Sequence, residues 1–385
     1  MNTLFDIINL LQKQLSILAK NDNTTELIQQ LITEGDIHHQ STWAAHMTPA
    51  INEAALLGQL LAGIHNGNLL SAELYPQLAA IEKQLLDWFC ELFKQPFAHF
   101  NHGSSYGNLD ALWQAREQAK NSSIVVYGSQ AAHYSISKAC RILGLNFQAI
   151  PTDELGQLQV KALRHACQLT PPIAIVATAG TSSCGAIDPI TTCVEIAKEF
   201  NSWLHIDAAW GGALILSPAY QHYLSGIAQA NSVCFDPHKA LDQPKPCSIL
   251  LYQQPLTSSL DADIDYLRQP PKHTIGGSYG GELFLPLWCS LLLSGKETLS
   301  ARIAQRLEQA EQFYLTLKQQ SNWWVLNATT GIICFKPQAD IDLAHLVTLG
   351  LISSAKVNGQ QVYRAVFASH TTMAESIITE LEPFF

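Results

Sequence analysis

The stretch 203–212 reads WLHIDAAWGG, and it places Asp207 at the end of a short apolar segment with small residues directly after it. Similar apolar segments lie on both sides of this stretch, and helical stretches separate them. Between residues 100 and 252 the apolar segments are 124–127, 147–150, 173–178, 203–206, 232–235 and 248–252. Strand–helix alternation over this length predicts an α/β fold, with a mainly parallel central sheet covered by helices on both faces.

The regions outside the alternating segment have a different character. Residues 1–95 have apolar residues at helical spacing, which predicts an N-terminal helical arm. We expect residues 96–265 to form the large domain. Residues 266–385 would then supply a linker helix over about 283–319, broken near Pro286, and a small C-terminal α+β domain.

The composition excludes several classes of protein. The chain has 385 residues, of which 47% are hydrophobic and 14% charged, whereas an ordinary soluble domain carries about 25% charged residues. A hydrophobic content this high is not typical of a disordered protein. Together with the low charged fraction, it predicts that a partner, another copy of the chain, covers part of the surface. A net charge of -10 argues against binding to nucleic acid, which requires lysine and arginine to displace counterions.

The cysteines and the N-terminus predict the compartment. The nine cysteines form no C-x-x-C pair and lie in apolar stretches, which indicates reduced, buried thiols and no metal site. No basic segment precedes the first apolar residues, and no apolar run approaches the roughly 20 residues needed to span a bilayer. We therefore expect a cytoplasmic protein that does not associate with membranes.

Ligands in open α/β sheets bind beyond the carboxyl ends of the strands, so the residues that follow each strand are the candidates for chemistry. The segment 103–108, GSSYGN, opens a helix with small residues and two hydroxyls, Ser104 and Ser105, which suits an anion. A flexible turn with a serine cap would look the same. Gly103, Ser105 and Gly107 also match the G-x-S-x-G nucleophile elbow, with Asp207 and His238 following in the order of an α/β-hydrolase.

Three further positions carry reactive side chains. Lys239 lies just beyond a predicted strand, where an amine of lowered pKa could act as a nucleophile. Asp207 lies beside small residues that leave room for a flat ligand, and His133 opens a helix on the same side of the sheet. Taken singly, these residues could be a solvated lysine, a turn-capping aspartate and a structural histidine. The hydrolase interpretation leaves Lys239 without a task, and the sequence has no HGGG-type oxyanion loop.

In this order, the motifs resemble those of the group II pyridoxal-phosphate-dependent decarboxylases, the family of glutamate, aromatic amino acid and diaminobutyrate decarboxylases. The resemblance extends from about His46 to Ser300. The segments that carry it are 103–109 (GSSYGNL), His133, 177–189 (ATAGTSSCGAIDP), 203–209 (WLHIDAA) and 236–239 (DPHK). The resemblance implies a fold-type-I transferase-like architecture, pyridoxal 5'-phosphate as cofactor and a homodimer whose partner subunit completes the active site.

The resemblance also implies roles for single residues. Lys239 would hold the cofactor as an imine, and Asp207 would keep the pyridine nitrogen protonated, so that the ring accepts electrons. His133 would stack on one ring face and Ala209 would pack against the other.

The remaining predicted cofactor contacts are polar. Ser104, Ser105 and His238 would anchor the phosphate, and the hydroxyl of Ser182 would lie near the cofactor. The catalytic set is thus Lys239, His133 and Asp207.

The predicted reaction is decarboxylation of an L-amino acid to the corresponding amine and carbon dioxide. Another pyridoxal-phosphate-dependent lyase, an aldehyde-forming reaction or a catalytically degenerate cofactor-binding relative are the alternatives, and an acidic or aromatic substrate is what the family suggests.

Two departures from the family pattern affect this prediction. Tyr279 stands near the position where relatives usually carry an arginine for the substrate carboxylate, so Arg268 or Lys272 would have to replace that charge. Tyr266 and Tyr279 are the candidates for returning a proton to the product carbon.

Overall fold

In the computed structural model of the chain, the described residues are 13, 22–119, 122–255, 274–327, 329–337 and 341–385. The first part of the predicted helical arm, residues 1–12 and 14–21, lies outside them. So does the segment 256–273, which holds Tyr266, Arg268 and Lys272.

Three helices form the described part of the N-terminal region: α1 (Asp22–Asp36), α2 (Glu53–His65) and α3 (Pro76–Phe93). Asn52 caps α2, because its side-chain oxygen accepts a hydrogen bond from the backbone N–H of Ala55 at 2.8 Å. Pro76 starts α3 at a position where the helix needs no N–H group.

The central sheet contains seven strands in the described part of the chain, in the order β1-β7-β6-β5-β4-β2-β3. The strands are β1 (Phe97–Asn101), β2 (Val125–Ser129), β3 (Asn146–Ile150), β4 (Ala174–Thr178), β5 (Trp203–Asp207), β6 (Ser232–Phe235) and β7 (Ser248–Tyr252). Strands β3, β2, β4, β5 and β6 run parallel, and β7 and β1 are antiparallel to their neighbours. The predicted mainly parallel α/β sheet is confirmed.

Helices cover both faces of this sheet, as the residues of β4 illustrate. Ile175 and Ala177 belong to one apolar cluster, whereas Ala174 and Val176 point into the cluster on the other face. The covering helices are α4 (Ser104–Glu117), α5 (Tyr134–Leu143), α6 (Val160–Leu169), α7 (Ile190–Glu199) and the single turn α8 (Pro237–Ala240).

A long helix, α9 (Leu285–Lys318), leads to a second, antiparallel sheet in the order β10-β11-β9-β8. Its strands are β8 (Trp323–Asn327), β9 (Ile332–Pro337), β10 (Ser353–Val357) and β11 (Gln360–Val366). The helices α10 (Ala344–Thr348) and α11 (Ala374–Leu381) accompany it. This is the small C-terminal α+β unit that the sequence predicts.

The break predicted near Pro286 lies elsewhere. Pro286 sits in the first turn of α9, where a proline is compatible with the helix. The helical geometry is interrupted at Gly295, whose φ of 79° is readily accessible to glycine. The sequence patterns also miss β1, which is an edge strand exposed at its start, and β10, which alternates between buried and exposed residues.

A buried carboxylate joins the segment after α8 to the rest of the chain. Asp242 is fully buried, and its carboxylate lies 3.2 Å from both Arg302 and His370 and forms an ion pair with Arg306. Arg306 also donates to the backbone carbonyl of Ala240. Burial alone would raise the pKa of Asp242, but the charges of Arg306, His370 and Arg302 lower it. This Asp242 cluster fixes the chain that follows Lys239 against α9 and the C-terminal region.

Candidate active site

A cavity of about 360 Å³ lies beyond the carboxyl ends of β4, β5 and β6, within the size range of small-molecule sites. All eight residues that the sequence predicts for the site line it. The lining residues are His102, Gly103, Ser104, Ser105, Tyr106, His133, Thr178, Gly180, Ser182, Asp207, Ala209, Trp210, Asp236, His238, Lys239, Lys245 and Pro246. Residues separated by more than 100 positions in sequence therefore meet at one place, where the topology of an open α/β sheet predicts a ligand.

Lys239 lies on α8 and forms an ion pair with Asp236, with 3.2 Å between Nζ and Oδ2. Burial would lower the pKa of the lysine, but the carboxylates of Asp236 and Asp207 outweigh it and raise the pKa. The amine is therefore charged near neutral pH and must lose a proton before it can act as a nucleophile.

Asp236 is also the partner of the first residue of α4. Its Oδ1 accepts hydrogen bonds from Ser104 N at 3.0 Å and from Ser104 Oγ at 2.6 Å. Although burial alone would raise the pKa of Asp236, the charges of Lys239 and His238 and the bond from Ser104 lower it. Both donors of Ser104 are thus engaged. The exposed Ser105 also lines the cavity, and no described residue hydrogen-bonds to its hydroxyl.

Asp207 ends β5 and is buried, with 4% of its surface exposed. Its Oδ1 accepts a hydrogen bond from Ala209 N at 3.2 Å, and its Oδ2 accepts one from Asn108 Nδ2 at 3.0 Å. These two bonds fix the carboxylate at the cavity wall.

Asn108, on α4, is fully buried and uses all of its hydrogen-bonding capacity. Its amide nitrogen donates to Asp207 and, at 2.8 Å, to Ser135 Oγ. Its oxygen accepts from His205 Nε2 at 2.8 Å and from the Cys234 thiol at 3.0 Å. The orientation of the Asn108 amide is therefore determined by its neighbours.

His205 supports Asn108 from within β5. Its Nδ1 lies 2.9 Å from Ser232 Oγ, which in turn accepts a hydrogen bond from Trp203 Nε1 at 2.9 Å. Complete burial lowers the pKa of His205 to about 4. The ring is therefore neutral at physiological pH, with a proton on Nε2 that is donated to Asn108 and with Nδ1 accepting from the Ser232 hydroxyl.

His133 belongs to the same hydrogen-bonded system. It caps α5, since its Nδ1 accepts from Ser135 N at 3.3 Å and lies 2.8 Å from Ser135 Oγ. Burial lowers the pKa of His133, which the charge of Asp207 partly opposes. Its ring lines the cavity.

The positions of Ser105, Asp207 and His238 exclude the hydrolase alternative. His238 Nδ1 donates to the carbonyl of Cys247 at 2.6 Å, and its Nε2 faces Asp236 at 3.6 Å. Asp207 is bonded to Asn108 and Ala209 instead. A nucleophile–histidine–aspartate triad is therefore not assembled from these residues.

The cavity has features that fit a flat, phosphorylated pyridine ligand. Thr178 Oγ1 is buried, lines the cavity and has no hydrogen-bond partner among the described residues. A buried hydroxyl without a hydrogen-bond partner destabilises the fold unless a ligand or a water molecule bonds to it. Lys239 supplies an amine, Asp207 an acceptor for a ring nitrogen, and the start of α4 an anion site.

Several residues of the site are missed by sequence reasoning. Asn108, Thr178 and Asp236 lie within the motifs that the sequence offers, but no local pattern predicts a role for them. Their importance follows from contacts with distant residues and, for Thr178, from an unsatisfied hydroxyl. Tyr279, by contrast, directs its hydroxyl to Glu82 Oε1 at 2.8 Å. Ser182 lines the cavity, and its backbone carbonyl accepts a bond from Arg364.

Comparisons with known proteins agree with this geometry. Residues 6–338 match the model of the pyridoxal-dependent decarboxylase conserved domain. The chain is 29% identical to an aspartate 1-decarboxylase of Aliivibrio fischeri over 357 residues, which cover 79% of this chain and 64% of the relative. It is 26% identical to a tryptophan decarboxylase of Camptotheca acuminata over 348 residues, which cover 80% and 69%.

Among solved structures, Oryza sativa TDC with PLP and tryptamine has a TM-score of 0.86 at 23% identity, covering 95% of this chain and 87% of that one. This likeness supports the fold. The match to the family model covers most of the chain and includes every residue lining the cavity. The chain belongs to the pyridoxal-dependent decarboxylase family, the carboxy-lyases that use pyridoxal 5'-phosphate to decarboxylate amino acids.

Proposed function

We propose that this chain converts an L-amino acid to the corresponding amine and carbon dioxide, with Lys239 as the residue that carries the cofactor. The observation that supports this most strongly is the meeting of Lys239, Asp207 and His133 at one cavity, with Asp207 fixed by Asn108. When bound, pyridoxal 5'-phosphate supplies a ring that takes up the electron pair left by the departing carboxylate.

Asp207 would hold a proton at the pyridine nitrogen, which keeps the ring electron-deficient. Its Oδ1 already accepts from Ala209 N and from the Cys234 thiol, and its Oδ2 from Asn108, so the carboxylate is oriented before the ligand arrives. A carboxylate that is already oriented does not have to reorganise during the reaction. Preorganised polar groups of this kind supply most of the electrostatic stabilisation in many enzymes.

His133 and Ala209 would contact opposite faces of the ring, and the small side chain of Ala209 leaves room there. Ser105, His238 and the first turn of α4 would bind the phosphate. Ser104 would join them only if it releases Asp236, to which both its donors are bound. Ser182 lines the same wall as Thr178, and the unpartnered hydroxyl of Thr178 would also contact the ligand.

Lys239 would hold the cofactor through Nζ, and its ion pair with Asp236 would then be given up. With substrate bound, the amine of Lys239 would be placed to move a proton near the reacting carbon.

The test is the visible spectrum of the purified protein with pyridoxal 5'-phosphate, before and after borohydride, for the wild type and Lys239→Ala. We expect a band that borohydride traps on Lys239 and that the variant lacks. Lys83→Ala is the matched control, because Lys83 lies on the exposed face of α3 and, of the residues that the structure describes, pairs with Asp87 alone. An unchanged band in Lys239→Ala contradicts the assignment.

A panel of amino acids then separates the reactions. Equal amounts of amine and carbon dioxide support decarboxylation, and an aldehyde product supports the aldehyde-forming alternative. Formation of the trapped band without any product supports a degenerate cofactor-binding relative.

We also propose that the chain acts as a cytoplasmic homodimer with the three-part organisation 1–95, 96–265 and 266–385. Exposed leucines and isoleucine on α2 and α9 support a subunit interface: Leu57, Leu60, Leu61, Ile64, Leu292 and Leu293. All nine cysteines are free thiols, which suits a reducing compartment. In the described segments, none of the helices has the length and apolar character to cross a bilayer. Light scattering of wild type and Ile64→Asp tests the dimer, since the variant should shift toward monomer.

A further inference from the structure

The proposed reaction brings two anionic groups into the cavity: the cofactor phosphate and the carboxylate of the amino acid. A carboxylate in such a site is normally met by a cation. Tyr279, near the family's usual arginine position, is bonded to Glu82, and the cavity lining contains no arginine among the described residues.

Two lysines line the cavity, and their surroundings differ. Lys239 is paired with Asp236. Lys245 is exposed, and its Nζ donates to Thr48 Oγ1 at 3.1 Å. Within the described part of the chain, no carboxylate lies at ion-pair distance from Lys245, so its charge is available to a ligand.

The backbone around Lys245 is well fixed for an exposed residue. Pro244 and Pro246 flank it and restrict the conformation of this short segment. The preceding Gln243 is buried, and its amide donates to Ser290 Oγ at 3.2 Å. The backbone of Lys245 is therefore fixed at the cavity wall, and the contact with Thr48 positions its ammonium group there.

The charge of Lys245 also acts on the histidines around it. Burial is the main cause that lowers the pKa of His46, His38 and His238, and the charge of Lys245 contributes to each. The charge of Lys245 is thus felt by all three histidines, after that of Arg364 at His46 and opposed by Asp236 at His238.

We propose that Lys245 pairs with a carboxylate of the amino acid substrate. The position of Lys245 indicates that its ammonium group serves the substrate carboxylate and not the cofactor phosphate. Thr48 belongs to the N-terminal region, whereas Ser105 and the start of α4, which suit the phosphate, lie on a different segment. The inference rests on the proposed function, because it presupposes that an amino acid enters this cavity.

The carboxylate could be the α-carboxylate, present in every substrate, or a side-chain carboxylate, present only in acidic amino acids. Titrations of the cofactor-loaded enzyme, followed by the change in cofactor absorbance, distinguish the two. The ligands are L-aspartate, L-glutamate, L-tryptophan and L-tyrosine, each compared with its product amine. The proteins are wild type, Lys245→Met, Lys245→Arg and Lys138→Met, a control on the exposed surface of α5.

We expect Lys245→Met to weaken amino acid binding by roughly 10-fold or more, since a charge-assisted hydrogen bond is lost. Lys245→Arg should restore most of it, and Lys138→Met should match the wild type. A uniform loss across the amino acids assigns Lys245 to the α-carboxylate. A loss confined to aspartate and glutamate assigns it to the side chain, and either result supports the proposal.

Unchanged affinities for all four amino acids in Lys245→Met would overturn the proposal. So would weaker binding of pyridoxal 5'-phosphate to the cofactor-free variant with unchanged amino acid affinity, because Lys245 would then serve the phosphate. The proposed function can fail while the Lys245 proposal stands. If the wild type binds amino acids but releases neither amine nor carbon dioxide, the proposed function is wrong, and the titrations still show whether Lys245 binds the carboxylate.

Discussion

The floor and the mouth of the cavity are built in different ways. By the floor we mean Asp207, which lines the cavity, and the three residues bonded in sequence behind it, Asn108, His205 and Ser232; none of the four is more than 4% exposed. The mouth consists of His102, Ser105, Tyr106 and Lys245, all of which are exposed. On the floor every residue is bonded to another residue of the floor, whereas Lys245 at the mouth hydrogen-bonds, within the described part of the chain, to Thr48 alone.

This difference separates two tasks. A polar group in the floor must be satisfied by its neighbours, because leaving it unsatisfied in the core is costly, so the arrangement changes only as a unit. A polar group at the mouth is solvated, and replacing it costs the fold little. We infer that cofactor chemistry is fixed by the core of the fold and that substrate choice is adjustable at the mouth.

The largest effect is expected at the floor, from Asp207→Asn. An amide cannot hold a proton at the pyridine nitrogen as a carboxylate does, so kcat should fall on the order of 10²–10³-fold, as for other lost electrostatic contacts to developing charge. Carbon dioxide release gives the measurement. Asp87→Asn, on the exposed surface of α3, is the control, and a fall of only a few-fold in Asp207→Asn would place the catalytic charge elsewhere.

Asn108→Ala tests whether the floor acts as a unit. The substitution removes bonds to Asp207, Ser135, His205 and Cys234 and leaves buried groups unsatisfied. We expect a loss of about 1–3 kcal/mol in the free energy of unfolding, together with a lower kcat. Urea unfolding and turnover are both measured, and loss of stability with unchanged kcat would show that Asp207 does not need this support.

His205 gives the floor a pH dependence. Its pKa is about 4 in the folded protein and 6.5 in the unfolded chain, so only the unfolded chain takes up a proton between these values. The stabilisation from the neutral ring is complete above pH 6.5 and is lost as the pH falls toward 4.

The comparison is between wild type and His205→Asn, by urea unfolding from pH 7.5 to pH 5. The wild type should lose about 2 kcal/mol more than the variant on acidification, since the pH falls about 1.5 units below the unfolded pKa. His133 and His238 titrate in both proteins and cancel in the difference. Parallel pH profiles would mean that His205 is not a neutral member of the floor.

The smallest effect is expected at the mouth, from Ser105→Ala. Loss of one exposed hydroxyl should weaken pyridoxal 5'-phosphate binding by roughly 2- to 10-fold, with unfolding unchanged within about 0.5 kcal/mol. Equilibrium binding and urea unfolding are the measurements. A stability loss as large as that of Asn108→Ala would remove the distinction between mouth and floor.

The sequence predicts the parts of the molecule whose signal is local. The apolar segments that became β4, β5, β6 and β7 and the motifs at their ends are contiguous strings, and all eight proposed site residues line one cavity. The support of Asp207 was not predicted, because Asn108 and His205 are 97 residues apart and meet only through the sheet. The bond between Ser104 and Asp236 spans 132 residues for the same reason.

The buried carboxylate of Asp242 has a consequence for the order in which the protein is made. Lys239 and Asp242 leave the ribosome before Arg302, Arg306 and His370, which hold Asp242 in the finished fold. Domains tend to fold as they emerge, but the segment that carries the cofactor lysine acquires its last contacts only when synthesis has passed His370. A chain that stops earlier leaves Asp242 with its charge only partly compensated, so the cofactor site is among the last parts of the molecule to be completed.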